Sequence, residues 1–289
     1  MNCPICGSLS FKHMYELPNG KIVECIKCGT VCRENLVSGE LAHRMYEDDN
    51  YLNSTFFEVL KVGAKTNVEP YLVYNKVLQR LEGMVERKSR LLDIGCSYGA
   101  FIDTARQHGW DVFGVDISKK ACSYAVDERH LNVHYGTVEN AKYPDNHFSV
   151  VTLWDVIEHL DRPLDTLNEV NRILTPGGIA VIFTINQKSL VNYVGHVLHK
   201  LSFNSLISPL VLLYDIHHNV FFCQTTLEGL LKRARISEKV EVDWMDANIE
   251  RWQSVHIPWL LAFGSKCLDL FSHRIGQRYR MIVYASKGD

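Results

Sequence analysis

Four cysteines in two short pairs are the first residues whose types and spacing do chemistry. They read Cys3-Pro-Ile-Cys6-Gly7 and Cys25-Ile-Lys-Cys28-Gly29. Two C-x-x-C knuckles at this separation match a tetrahedral zinc site, in which each knuckle turns both sulfurs toward one point and its glycine permits the backbone turn. A segment this short has too little apolar interior to fold without such a staple. Rubredoxin-like iron and a dithiol redox pair are the other chemistries the spacing admits. Cys32 stands close enough in sequence to substitute as a ligand and reads as a spectator.

A second constellation lies further on. Arg90-Leu-Leu-Asp-Ile94 is a short apolar run closing on an acid, followed by the turn Gly95-Cys-Ser-Tyr-Gly99 and a segment with helical apolar spacing to His108. Gly109 stops the helix, and Asp111-Val-Phe-Gly-Val-Asp116 reads as a second strand ending in an acid. That acid falls where ribose hydroxyls lie in a doubly wound sheet. A dinucleotide fold would need G-x-G-x-x-G to admit a pyrophosphate at the helix N-terminus, and Ser97 occupies the second glycine's place. The bland alternative is an ordinary strand-to-helix turn with an incidental acid.

Asp93-x-Gly95-x-x-x-Gly99 resembles motif I of the class I S-adenosylmethionine (SAM) methyltransferases. Later stretches extend the resemblance, in order, toward the ubiquinone-type members. They are Gly136-Thr-Val-Glu-Asn-Ala-Lys-Tyr-Pro-Asp145, the strand Phe148 to Asp155 with Glu158-His159 behind it, and Thr175-Pro-Gly-Gly178 leading into a strand Ile179 to Ile185. The resemblance covers roughly residues 90 to 186. It implies an α/β, Rossmann-like, doubly wound and mostly parallel seven-stranded sheet, with SAM as cofactor. It implies cofactor contacts from Asp93, Gly95, Cys96, Ser97, Gly99, Asp116, Ile117, Val138, Glu139, Trp154 and Asp155. Where the family carries an acid beside adenine this chain has Thr137, so the backbone of Val138 and Glu139 is the expected contact.

Methyl transfer from a sulfonium depends mostly on alignment, and an oxygen nucleophile additionally wants a base. Imidazole titrates in the right range, which makes His218 and His159 the candidate catalytic residues, with His217 beside them. Each has a structural alternative: the Glu158-His159 pair suits a cation or a helix cap, and His218 suits a packed domain side.

The elements that must position these groups follow in chain order. Gly20 marks a hairpin turn, so residues 1–38 read as a zinc ribbon, whose role is to bind a partner or nucleic acid or, the favoured reading with so few basic residues, to brace the next domain. Residues 39–88 read as a helical segment covering the cofactor, with a helix from Tyr71 to Val85 and with Tyr46 and Tyr51 set to touch cofactor or substrate, or simply to pack the ribbon. Residues 89–289 form the methyltransferase domain. Within it Ser118 caps a helix to Arg129, Asn132 to Tyr135 is a third strand, and a capped helix runs from Asp161 to Leu174. Residues 187–220 form a lid over a bulky or lipid-like acceptor, or an ordinary pair of covering helices. Thr225 begins a further helix. Val240 to Trp244 and Arg280 to Ala285 make an antiparallel edge, with Pro258-Trp-Leu-Leu-Ala-Phe an apolar helix between them.

Composition sets the outer limits. With 289 residues, 46% of them hydrophobic, the chain has the size for one α/β domain and a small appendage. A formal net charge of −2 argues against a dedicated nucleic-acid binder. The N-terminus lacks a basic and apolar leader and no run approaches a membrane span, so a cytoplasmic location is expected, with peripheral membrane contact left open. In a reducing compartment the nine cysteines favour metal over disulfides. The function expected is SAM-dependent methylation of a small-molecule, sugar or lipid-like acceptor, with zinc as a second cofactor. An RNA methyltransferase holding RNA through the ribbon, and a non-catalytic SAM-fold scaffold, are the competing classes.

Overall fold

A computed structural model describes residues 1–47, 69–202, 207–245, 271–272 and 277–288. The expected roles of Tyr51 and of the stretch beginning Pro258 fall outside them.

The sheet that carries the site has seven strands. In chain order these are β4 (Arg90–Ile94), β5 (Asp111–Asp116), β6 (Val133–Tyr135), β7 (Phe148–Trp154), β8 (Leu174–Ile185), β10 (Val240–Met245) and β11 (Arg280–Ser286), in the spatial order β10-β11-β8-β7-β4-β5-β6. β4 through β8 pair in parallel, whereas β11 runs antiparallel between β8 and β10. This is the Rossmann-like sheet the resemblance implies. Order reverses between β4 and β7, and a ligand binds outside the strand ends at such a switch point.

Alternation builds two buried faces on that sheet. Leu91, Val150, Val181 and Ile282 face helices α2 (Glu69–Met84) and α3 (Ala100–Gln107), whose Leu78, Leu81 and Phe101 complete one cluster. Leu92, Val151, Ile182 and Val283 face the other way, toward Leu167 and Val170 of α6 (Pro163–Ile173) and Leu227 and Leu230 of α9 (Gln224–Arg233). Each such side chain, fully buried, contributes roughly 1.5–3 kcal/mol. Two short helices complete the first half, α4 (Lys119–Asp127) and α5 (Val138–Ala141). Ser118 caps α4 as expected, its hydroxyl accepting the Ala121 N–H at 3.3 Å.

The N-terminal strands β1 (Phe11–Leu17), β2 (Gly20–Cys25) and β3 (Val31–Arg33) form the ribbon and lead to α1 (Gly39–Glu47). Their sheet takes a fourth strand, β9 (Val220–Phe221), from beyond the insertion that holds α7 (Leu190–Leu201) and α8 (Ser208–Leu213). Cys3, Ile5 and Cys25 join the same buried cluster as Val220 and Phe222. A third cluster unites Leu17, Ile22 and Val31 of the ribbon with Val191, Leu210 and Tyr214 of the insertion.

Most element ends shift from the sequence reading by one or two residues, and two of the differences have a clear local cause. β8 begins at Leu174 instead of Ile179, because Pro176-Gly177-Gly178 is drawn into the strand and the Lys287 N–H bonds the Gly178 carbonyl. The cap of α9 is Cys223 instead of Thr225: Thr226 reaches back to accept the Cys223 backbone N–H at 2.9 Å. Among the described residues no helix is long and apolar enough to cross a membrane.

Candidate functional site

The turn after β4 is shaped by glycines whose replacement would meet packed side chains. A Cβ on Gly95, at φ +74°, would stand 2.3 Å from Val156 Cγ2, and one on Gly99, at φ +75°, would stand 2.4 Å from Leu131 Cδ1. Ser97 also takes a positive φ, 48°, and its buried Oγ has no hydrogen-bond partner among the described residues. The turn therefore presents backbone and one unsatisfied hydroxyl to the space above β4.

Asp116 closes β5 beside this turn. Its Oδ2 accepts the Ser97 N–H and its Oδ1 the Ser118 N–H, each at 2.7 Å. Burial raises its pKa, and the two amides oppose that rise. Helix α1 reaches the same edge, where Glu47 accepts the Lys119 N–H and Lys120 Nζ donates to the Glu47 carbonyl. The segment expected to cover the cofactor thus borders the expected ribose position.

The other expected cofactor residues surround that space at different depths. Asp93 is buried, accepts the Thr152 hydroxyl at 2.6 Å, and is pushed up to about 8 by its burial. Cys96 turns its sulfur into the core beneath Gly114, leaving its backbone to the turn. Ile117 lies between Asp116 and the cap of α4. Val138 is buried at the start of α5, and Glu139 accepts the Thr166 hydroxyl at 2.8 Å, so backbone is what both offer the expected adenine position. Trp154 lies among Tyr74, Phe101 and Phe183, its buried indole N–H without a hydrogen-bond partner among the described residues. Asp155 adopts φ +51° at the end of β7, a left-handed conformation that costs an ordinary residue about 1 kcal/mol or more.

Just beyond Asp155 the chain brings together three groups far apart in sequence. Glu158, His159 and His218 each offer a ligand atom, and all three atoms lie within 4.8 Å of one another. The two imidazoles meet edge to face with centroids 4.7 Å apart. His159 Nδ1 pairs with the His217 carbonyl at 2.9 Å, which turns its other nitrogen away from that bond. The Thr184 hydroxyl beside Glu158 favours its charged form, but by hydrogen-bond geometry both Glu158 oxygens and His218 Nδ1 are buried without partners among the described residues. Burial, reinforced by Asp155, raises the Glu158 pKa, while burial and the neighbouring His159 lower that of His218 to about 3. Unpaired buried polar atoms cost on the order of 1–3 kcal/mol each, so this cluster is built for a proton, a cation or a polar ligand. Tyr46 of α1 stands over it, 6.0 Å from the His159 ring and 6.4 Å from that of His217.

The four ribbon cysteines also converge. Cys3 Sγ lies 3.6 Å from Cys28 Sγ and Cys6 Sγ lies 3.5 Å from Cys25 Sγ, and all four sulfurs fall within 4.8 Å of one another. Burial pushes the Cys3 thiol up against the pull of the Cys6 and Ile5 amides, whereas at Cys25 burial is outweighed by hydrogen bonds from the Cys28 and Lys27 amides and the neighbouring thiols, which bring it down to about 7. This donor set fits a tetrahedral metal. Cys32 is buried, is pushed up to about 12 by that burial, and stands outside the cluster.

Two residues of this region escaped the sequence reading. Arg33 is buried at the end of β3 and Asn219 at the start of β9, and they join ribbon and histidines by bonds across 185 and 60 residues respectively. The local sign was an isolated arginine in an otherwise arginine-free ribbon.

Sheet order, glycine turn and the acids ending β4 and β5 together define a class I SAM-methyltransferase fold. A model of the methyltransferase domain matches residues 69–234, and the chain belongs to that family. It is 31% identical over 121 residues to the ubiquinone biosynthesis O-methyltransferase of Yersinia pestis (strain Pestoides F), a match covering 40% of this chain and 49% of the relative. The chain thus matches about half the length of that relative. Among solved structures, a SAM-dependent methyltransferase from Archaeoglobus fulgidus aligns with TM-score 0.54 at 19% identity, over 83% of this chain and all of that one. Haemonchus contortus phosphoethanolamine N-methyltransferase 2, in complex with phosphomonomethylethanolamine and S-adenosylhomocysteine (SAH), aligns with TM-score 0.51 at 19% identity, over 74% and 53%. The structural likeness establishes the fold, and function is argued from the site.

Proposed function

We propose that this protein transfers the methyl group of SAM to an oxygen atom of a small-molecule acceptor, activated at Glu158, His159 and His218. The observation that carries the proposal is the convergence of these three side chains, with buried unpartnered atoms, just past the end of β7. Support for an oxygen acceptor comes from the relative that acts in ubiquinone biosynthesis as an O-methyltransferase. SAM would lie over the turn from Gly95 to Gly99, its ribose hydroxyls at Asp116 and its adenine along the backbone of Val138 and Glu139.

SAM supplies an electrophilic methyl on a good leaving group. The chain's part is to align the acceptor oxygen and take or stabilise its proton. His218, held neutral by burial, has a lone pair to accept a hydrogen bond from the acceptor hydroxyl, and Glu158, whose pKa burial raises, is the adjacent carboxylate able to take the proton. A divalent cation is the second reading, favoured by the distance of 4.8 Å or less among one carboxylate and two imidazole donors. It would ionise Glu158 and lower the acceptor's own pKa.

The test uses SAM labelled in its methyl group with a panel of phenolic and catecholic acceptors, with and without chelator. O-methylated product should form, and His218→Gln or Glu158→Gln should reduce turnover roughly 10²- to 10⁴-fold while SAH binding persists. Chelation that abolishes turnover, with recovery on adding Mg²⁺, selects the cation. Methyl transfer to oxygen that is indifferent to both substitutions would reject the activation site.

A further inference from the structure

The ribbon and the insertion share a sheet, and the shared edge lies against the histidine cluster. Val31 and Cys32 of β3 pair with Phe221 and Val220 of β9. The Cys25–Cys28 knuckle runs straight into β3: the Cys25 N–H bonds the Thr30 carbonyl at 2.9 Å, and the Cys28 sulfur donates to Thr30 Oγ1 at 3.1 Å. Two residues after β9 pairing begins at Val31, Arg33 turns its guanidinium inward.

Arg33 is only 3% exposed, so its five N–H donors must find partners inside the protein. They find backbone carbonyls. Nη2 donates to Asp215 at 2.7 Å and Tyr214 at 3.3 Å, Nε donates to His218 at 3.3 Å, and Nη1 donates to Asn19. One ribbon side chain thereby fixes three carbonyls of the segment that ends in His218. Gly20 makes room for it, since a Cβ there would stand 2.6 Å from Arg33 Nη1. The Arg33 N–H also bonds the Asn219 carbonyl at 2.9 Å.

Asn219 completes the link. Its Oδ1 accepts the Val37 N–H, and its Nδ2 donates to the carbonyls of Val37 and His159, each at 2.7 Å. Its backbone N–H donates to the Glu158 carbonyl at 2.8 Å. Both halves of the cluster, Glu158-His159 and His218, are thus held by contacts that begin in the ribbon. A free-standing brace would need none of these.

We propose that the ribbon is a working part of the acceptor site: Arg33 and Asn219 are positioning residues through which metal occupancy of the four cysteines sets the placement of His218 against Glu158 and His159. The proposal rests on the function proposed above for the role of those three groups. The coupling itself is independent of which reaction they serve. The path runs through β3, β9 and the ends of the insertion, and none of the hydrogen bonds of Arg33 or Asn219 described above ends on the turn at Gly95 to Gly99 or on Asp116, so cofactor affinity is separable from it.

The full-length, zinc-loaded protein carries the test, read by hydrogen exchange, by ring ¹⁵N resonances of the histidines and by SAH calorimetry. Arg33→Met, which keeps the aliphatic stem, should raise exchange over 214–221 at least tenfold and shift the His218 ring resonances. Zinc content and SAH affinity should stay within twofold of wild type. Arg33→Lys should recover part of the protection. Gly20→Ala, which displaces the guanidinium, should reproduce the pattern, and so should stripping zinc from wild type, an arm that requires no folded variant. Faster exchange confined to residues 1–38 after stripping, with unchanged His218 resonances, overturns the proposal and leaves a simple brace. Loss of SAH binding in step with the exchange also overturns it, because the ribbon would then support the whole domain. Failure to find a methyl acceptor would count against the proposed function and leave these readouts decisive for the coupling.

Discussion

Asp116 Oδ2 accepts the Ser97 N–H at 2.7 Å, which ties the end of β5 to the turn that follows β4. The same carboxylate accepts the Ser118 N–H through its other oxygen at 2.7 Å. A carboxylate has about four acceptor positions, and even with the Ile117 amide also favouring the charge, capacity remains for a ligand. Asp116 both shapes the turn and offers a charged acceptor beside it.

Replacing Asp116 by Ala should therefore weaken SAH by about ten- to hundredfold, the equivalent of roughly 1.5–3 kcal/mol for hydrogen bonds to a charged group. Asp116→Asn should fall between, because the amide keeps one acceptor and loses the charge. Calorimetric titration decides it, and equal affinity in the Ala variant would mean the ribose lies elsewhere.

Gly95→Ala and Gly99→Ala should each destabilise the protein by roughly 1–3 kcal/mol, since both place a Cβ against a packed side chain and hold it at positive φ. Gly83 supplies the control: it lies in α2, and an added methyl there would meet nothing within 4 Å, so Ala should be neutral or stabilising by up to about 1 kcal/mol. Urea unfolding of the three variants measures the contrast, and equal behaviour at all three positions would refute the steric account.

Asp93 links stability to pH. Its carboxyl sits at about 8 in the fold against an ordinary 3.8, because burial disfavours the charge more than the Thr152 hydroxyl favours it. A raised folded pKa contributes stability that is complete below the unfolded value and is lost as pH rises toward the folded one. Wild type should thus lose stability relative to Asp93→Asn between about pH 4 and pH 8, by at most about 6 kcal/mol at roughly 1.4 kcal/mol per unit. Parallel pH–stability curves for the two proteins would show that Asp93 is ionised when folded.

Much of this was legible wherever the cause is local. The run Arg90 to Ile94, the glycines at 95 and 99 and the cap at Ser118 announce strand, turn and helix because their partners lie within a few residues. The sulfurs of Cys3, Cys6, Cys25 and Cys28 announce a metal by spacing alone. Arg33 and Asn219 could not be read this way. Arg33 meets three of its four carbonyls across more than 180 residues, and a two-residue strand such as β9 has no periodicity to detect. The histidines showed their chemical type in sequence and the Glu158-His159 pair suggested a cation, whereas the third donor appears only when the fold brings His218 beside them.

The four-cysteine cluster should hold one zinc per chain. Cys25→Ser should unfold residues 1–38, because structural zinc supplies the folding free energy of so small a unit. Elemental analysis of the purified protein reads the first part and limited proteolysis the second. Less than half an equivalent of zinc, with iron also absent, would sink the assignment.

Helix α7 carries the last prediction. Its inner side is committed: Val191, Asn192 and His199 are buried, and Gly195 lets α8 approach so closely that a Cβ there would meet Leu213 Cδ1 at 2.5 Å. Its outer side leaves Tyr193 64% and Leu201 73% exposed, with Leu198 between them also exposed, which is more apolar surface than packing requires. We expect that surface to govern acceptor entry. Replacing Tyr193, Leu198 and Leu201 together by Ser removes apolar groups without opening a cavity, so unfolding free energy should change by about 0.5 kcal/mol or less per site. SAH affinity should be unchanged, since α7 follows β8 and packs against α8, away from the turn at Gly95 and from Asp116. Turnover with an identified acceptor should fall at least tenfold, through KM before kcat, because binding and not chemistry has been altered. If the folded triple variant loses SAH binding instead, the insertion belongs to the cofactor site and the lid assignment is wrong.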